Sequence, residues 1–155
     1  MQFIPGFWRT GSVVTHHIGA NATGNVGGGE DDLLSRNVSA NVLNRVDKTI
    51  RITAWGTKAN NANAKTLRLY FGTAVILTHA LGAGAAGVWK IIAEVTRTGV
   101  DAQKYIATLI GTDTDAESGT AAQDDGAEIT VKCTGAAVAN NDIVQEALIV
   151  EVLNI

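Results

Sequence analysis

The residues most able to do chemistry are three acids at alternate positions. Asp113, Asp115 and Glu117 lie in the stretch TDTDAES. Carboxylates spaced this way on an extended loop could gather around a calcium ion, which takes roughly six to eight oxygen ligands. The glycine and closing glutamate of an EF-hand loop are missing, so residues 113–119 are expected to be part of a solvated acidic loop spanning 111–126. His16 and His17 are adjacent, His79 is far off, and no Cys or His pair completes a metal site. Cys133 lies in the alternating run EITVKCT, on one face with Ile129 and Val131. No Cys-His signature accompanies it, so it is expected to be a buried structural thiol rather than a nucleophile. No serine has the G-x-S-x-G context. Gly27-Gly28-Gly29 lacks the lysine and helix that a phosphate loop needs. Trp55, Tyr70 and Trp89 could form a sugar-binding platform, but aromatic residues on strands are more often core or interface anchors. The reading is that the chain is not an enzyme, holds no metal and needs no cofactor.

The elements that carry these residues alternate with period two. Lys48–Lys58 sets Ile50, Ile52 and Ala54 against Arg51, Thr53 and Trp55. Lys65–Phe71 sets Leu67, Leu69 and Phe71 against Thr66, Arg68 and Tyr70. This spacing makes strands with one buried and one wetter face. Val88–Arg97 repeats it with Trp89, Ile91, Ala93 and Val95 on one side, and Gln103–Ile110 follows after the turn Thr98-Gly99-Val100-Asp101. Leu33–Ala40, Ala74–Thr78, Glu128–Thr134 and Ile143–Leu153 complete eight strands, with no convincing helix. The fold class expected is all-β: an antiparallel β-sandwich of about eight strands, jelly-roll-like, with an extended N-terminal arm. An up-and-down barrel is the rival, and the long connections at 59–64, 79–87 and 112–126 fit it less well.

The chain has 155 residues and a net charge of -3. One domain of this length buries roughly 70% of its unfolded surface, so no disulfide staple is needed. The charge is unevenly placed: residues 1–110 hold 11 lysines and arginines against 6 acids, and residues 111–155 hold 1 against 9. Such polarity would suit a surface that meets further copies of the chain or another shell protein; the alternative is a solvated acidic edge. An acidic balance argues against a nucleic-acid partner. No apolar run approaches the roughly 18 residues that would span a membrane, and MQFIPGFWRTGSVV has neither the basic start nor the long apolar core of a signal peptide. Folding in a reducing cytoplasm is the expectation.

Residues 1–29 differ in character, joining Phe3, Phe7 and Trp8 to a tail rich in glycine and asparagine. They are read as an arm whose aromatic anchors dock on a neighbour, and residues 30–155 as the sandwich; an extra strand on the same domain is the alternative.

The run ITAWGTKANNANAKTLRLYFG, the Trp of GVWKIIAEVTRTG and the Gln of DAQKYIATL resemble a family of small virion proteins from tailed bacteriophages. The matching positions are Ala40–Leu43, Ala54–Thr66, Phe71–Gly72, and Trp89, Arg97, Thr98, Gly99 and Gln103, within roughly residues 24 to 153. The resemblance implies a jelly-roll-like domain that trimerises and decorates a virion, with the major capsid protein or another virion protein as partner. Phe3, Ile4, Phe7, Trp8 and Arg9 are the expected attachment residues, and Trp55, Tyr70 and Trp89 the expected self-association residues. The alternative role is a receptor- or glycan-binding module of a head or tail fibre.

Overall fold

The computed structural model describes residues 12–19 and 21–154, and in them every regular element is a strand. In chain order these are β1 (Ser12–Gly19), β2 (Thr23–Gly24), β3 (Gly29–Val38), β4 (Thr49–Lys58), β5 (Lys65–Phe71), β6 (Ala74–Leu81), β7 (Gly87–Gly99), β8 (Ala102–Gly111), β9 (Asp115–Ala121), β10 (Ile129–Ala137) and β11 (Ile143–Asn154). One sheet runs β1-β11-β4-β7-β8-β9, with β2 pairing β11 below β1, and the other runs β3-β10-β5-β6. All pairings are antiparallel. Without β2, β8 and β9, eight strands remain in two sheets of four, β1-β11-β4-β7 over β3-β10-β5-β6. That is the strand order of a jelly roll. The β8–β9 hairpin extends the larger sheet past β7 and curls round to reach β6.

All eight expected strands are present. One reading changes. The acidic segment 111–126 is not one loop, because Asp115–Ala121 pairs with β8 as a strand. Ser12–Gly19 and Thr23–Gly24 pair with β11, so strand pairing lies on both sides of the boundary expected at residue 29. Phe3, Ile4, Phe7, Trp8 and Arg9, the expected attachment residues, lie outside the described residues.

The alternation read from sequence decides what is buried. Ile50, Ile52, Ala54, Ile91 and Val95 from the larger sheet meet Leu67, Leu69, Phe71, Val131 and Cys133 from the smaller one, all essentially inaccessible. Burying a large aliphatic or aromatic side chain contributes about 1.5–3 kcal/mol, so this interior is the main source of stability.

Where β4, β7 and β11 press together the packing leaves no room for a side chain at Gly56. A Cβ there would sit 1.9 Å from the Val144 carbonyl oxygen and 2.7 Å from the Trp89 ring. Gly56→Ala is therefore expected to destabilise by about 1–3 kcal/mol, a fall in Tm of roughly 2–4 °C for each kcal/mol. Gly28→Ala, with nothing within 4 Å of the added carbon, should leave Tm unchanged. Thermal unfolding of the two variants checks the contrast.

Candidate functional site

The polar side chains of interest gather at the two ends of the sandwich and along one of its sides. At the first end, the connections 59–64 and 138–142 meet at Asp142, which is 1% exposed. Its two oxygens accept the amides of Asn61 at 2.5 Å and Asn63 at 2.8 Å, and the Ala139 backbone N–H at 3.0 Å. Lys65, also buried, opens β5 and directs Nζ at Asn61 Oδ1 (2.6 Å), Asn63 O (3.0 Å) and Asn61 O (3.3 Å). All three ammonium donors are thereby used. Asn25, wholly buried, ties the same connection to the start of β11: Oδ1 accepts from Ile143 N and Nδ2 donates to Ala139 O. The Asn61 amide chiefly, with Ala139, Asn63 and Lys65, holds the Asp142 carboxyl down at about 2, against the opposing effect of burial.

At the opposite end, Asp125 occupies the equivalent role. Its carboxylate accepts Arg97 Nε at 2.5 Å, Gln103 Nε2 at 2.7 Å and the Asp101 backbone N–H at 2.9 Å. Gln103 also exchanges hydrogen bonds with the Gln123 backbone in both directions. Arg97 and Asp125 are both nearly buried, and the Arg97 backbone bonds Asp47 and Lys48 of the β3–β4 connection. One ion pair thus joins three connections.

Along the side, the carboxylates of the β8–β9 turn and β9 reach the edge of the smaller sheet. Asp113 accepts from Gly82 N at 3.2 Å and lies 3.6 Å from Lys58 Nζ. Asp115 meets His79 Nδ1 at 2.8 Å, and Glu117 accepts from Thr78 N at 2.8 Å. The His79 ring chiefly, and then the Ala116 N–H, lower the Asp115 pKa. These three acids go to separate partners, so the calcium arrangement is not formed. No group of three or more His, Cys, Asp or Glu side chains among the described residues could hold a metal.

The expected self-association residues do not converge. Trp89 is 2% exposed, its indole N–H donating to Thr57 O inside the core, so it offers no surface to a second copy as had been expected. Trp55 is half-buried on the outer face of the larger sheet, in register with Lys90 and Ala147. Tyr70 lies on the outer face of the smaller sheet, donating to Glu30 Oε1 at 2.8 Å with Lys132 5.4 Å over its ring. No sugar platform is built from them. Glu30 is lowered in pKa mainly by the Thr134 hydroxyl, helped by Tyr70 and Arg68, and it raises the Tyr70 phenol in turn. Cys133 is fully buried, and burial pushes its thiol up to about 12, which makes it inert as a nucleophile. Two shallow depressions of about 350 and 400 Å³ are lined by residues of the Asp125 network and by the polar face near Lys132.

The residues of the Asn-rich joint and of the R-T-G…Q hairpin are therefore the ones that hold the two ends of the sandwich. Their acidic partners, Asp142 and Asp125, were not singled out in the sequence. The polar type of Asn61, Asn63, Arg97 and Gln103 on otherwise apolar-flanked strand ends was the available signal.

No family model and no curated protein matches this sequence. Among solved structures, the chain is similar to the CBM2 module of the evolved Dit of Lactobacillus casei BL23 phage J-1, at 11% identity and a TM-score of 0.40, over 78% of this chain and 69% of that one. It is also similar to the VP2 subviral particle of infectious bursal disease virus, at 13% identity and a TM-score of 0.27, over 93% of this chain and 43% of that one. Scores this low support no argument about fold or role.

Two outcomes test the end networks. Asp125→Ala strands the Arg97 guanidinium without its counter-charge and should cost about 3–5 kcal/mol in urea unfolding. For Asp142 the folded pKa is depressed, so its stabilisation is complete above the unfolded value near pH 4 and is lost as pH falls toward 2. The stability gap between wild type and Asp142→Asn should accordingly be widest above pH 4 and shrink between pH 4 and 2.

Proposed function

We propose that this chain is a structural protein of a tailed-phage virion, a trimeric decoration protein that coats or stabilises the head. The observation that carries the reading is where the resembling residues fall. Asn61, Asn63 and Lys65 clamp one end of the jelly roll around Asp142, and Arg97 and Gln103 clamp the other around Asp125. A likeness built from residues that fix the fold supports a shared architecture, and in the family resembled that architecture is the virion module. The absence of a metal cluster among the described residues is compatible with this role and with others.

Self-association is assigned to the outer face of the larger sheet. There Trp55, Ile92 and Ile149 are half-buried and Ile106 and Ile110 stand exposed, with Lys90 and the Arg51–Glu94 pair among them. The outer face of the smaller sheet is covered by the lattice of Glu30, Arg68, Tyr70, Lys132 and Asp32 instead. Apolar side chains on an open sheet face favour coverage by a partner, and cyclic symmetry closes such an interface without leaving a free copy. Three modest attachments to a shell then combine by avidity.

The expected result is a light-scattering mass of three times the 16.1 kDa chain, and dissociation to monomers on Trp55→Ser with Tyr70→Ser unaffected. Immunogold labelling of purified particles should decorate heads. A monomeric wild type removes the trimer, and labelling confined to the tail tip favours the receptor-binding role.

A further inference from the structure

We propose that β9 is a charge-held latch over the free edge of β6, and that it keeps this edge from pairing with a strand of a second copy. Among the described residues, β6 pairs β5 on one side and no strand on the other. An unpaired strand edge is a template for edge-to-edge association. Here carboxylates of β9 and of the turn before it reach that edge and the residue just past it. Glu117 accepts from the Thr78 N–H at 2.8 Å, Asp113 from the Gly82 N–H at 3.2 Å, and Asp115 meets the His79 ring at 2.8 Å. The three acids share one face of an extended segment because they lie at alternate positions, and that partly buried face is turned toward β6. The other charged group facing them is Lys58 of β4, 3.6 Å from Asp113. On β8, the residues in register with Asp115 and Glu117 are Leu109 and Ala107, which carry no charge.

The interior side of the hairpin is thin. Of the β9 residues only Ala121 joins the buried core, so the hold on β6 is electrostatic and hydrogen-bonded rather than apolar. Hydrogen bonds to charged groups are the strong kind, and losing one speeds local opening by about tenfold or more. The latch therefore opens separately from the core when its carboxylates lose charge.

The test is native-state hydrogen exchange of the full chain at neutral pH, comparing wild type with Glu117→Gln and with Asp113→Asn/Asp115→Asn/Glu117→Gln. Exchange at Thr78 and Gly82 and across β9 should rise several-fold in the single variant, whose amide oxygen still accepts but carries no charge, and further in the triple one, while β4 and β11 stay protected. Light scattering of the triple variant should show mass growing with concentration beyond that of wild type. Unchanged exchange over 74–82, or a uniform rise that includes β4 and β11, overturns the latch; faster exchange with unchanged mass overturns the guarding role. If the triple variant fails to fold, the single Glu117→Gln variant decides: faster exchange at Thr78 and across β9 with β4 and β11 still protected supports the latch, and simultaneous loss everywhere refutes the proposal.

Discussion

Two stacked sheets bury their apolar faces readily, but their margins expose backbone donors and chain reversals that must find partners. Most of the polar detail in this protein answers that constraint. Gln145, wholly buried at the irregular stretch of β11, directs Oε1 to the Leu34 N–H on the edge strand β3. Glu117 does the same for Thr78 on the edge strand β6. Each outer strand of the smaller sheet is thus met by a side chain from the larger one. The two sheets are tied at their sides as well as through the core, and each edge of the smaller sheet has one backbone donor taken by a side chain of the larger.

The ends obey the same logic with buried charge. Removing a carboxylate and a cation from water costs several kcal/mol each, and such groups persist only when every donor and acceptor is matched. Asp142 and Lys65 meet that condition through asparagines that bridge between them, and Asp125 and Arg97 through direct contact reinforced by Gln103. No buried side-chain nitrogen or oxygen among the described residues lacks a partner. Fully matched networks of this sort fix which connection meets which. An apolar filling would leave that open, because aliphatic contacts have no direction.

Strands that face the core were legible because burial writes itself into alternation: β4, β5 and β7 follow the apolar spacing of Ile50-Ile52-Ala54, Leu67-Leu69-Phe71 and Trp89-Ile91-Ala93-Val95. β9 was not legible for the same reason. Its inward residues face a strand edge, so carboxylates stand where apolar residues would otherwise alternate, and the pattern reads as an acidic loop. β1 carries His16, His17 and Thr15 in a stretch with weak alternation, and its pairing with β11 depends on residues more than 120 positions away. The end networks were half legible. Asparagine-rich and R-T-G…Q stretches mark unusual strand ends, but their acids lie 20 or more residues away along the chain, and local spacing carries no information about such closures.

The uneven charge of the chain takes a different meaning once its acids are placed. Of the nine acids after residue 110, Asp113, Asp115 and Glu117 hold β6 and Lys58, Asp125 holds Arg97, and Asp142 holds the Asn61–Asn63 joint. Glu128 bonds Asn37 across the smaller sheet, and Asp124 caps the Gly126 N–H of its own turn. The excess of acid in the C-terminal third is therefore largely directed at the fold itself, not displayed as one negative surface. A self-complementary charge pattern between copies loses its basis in that count. What distinguishes the two outer faces is apolar exposure: Trp55, Ile92, Ile106, Ile110 and Ile149 on the larger sheet against a salt-bridged lattice on the smaller. Burial of such side chains is the dominant favourable term in association, and charges around them set orientation more than strength. The weight of any assembly reading thus moves from the acidic tail, where the sequence had drawn it, to the outer face of the larger sheet.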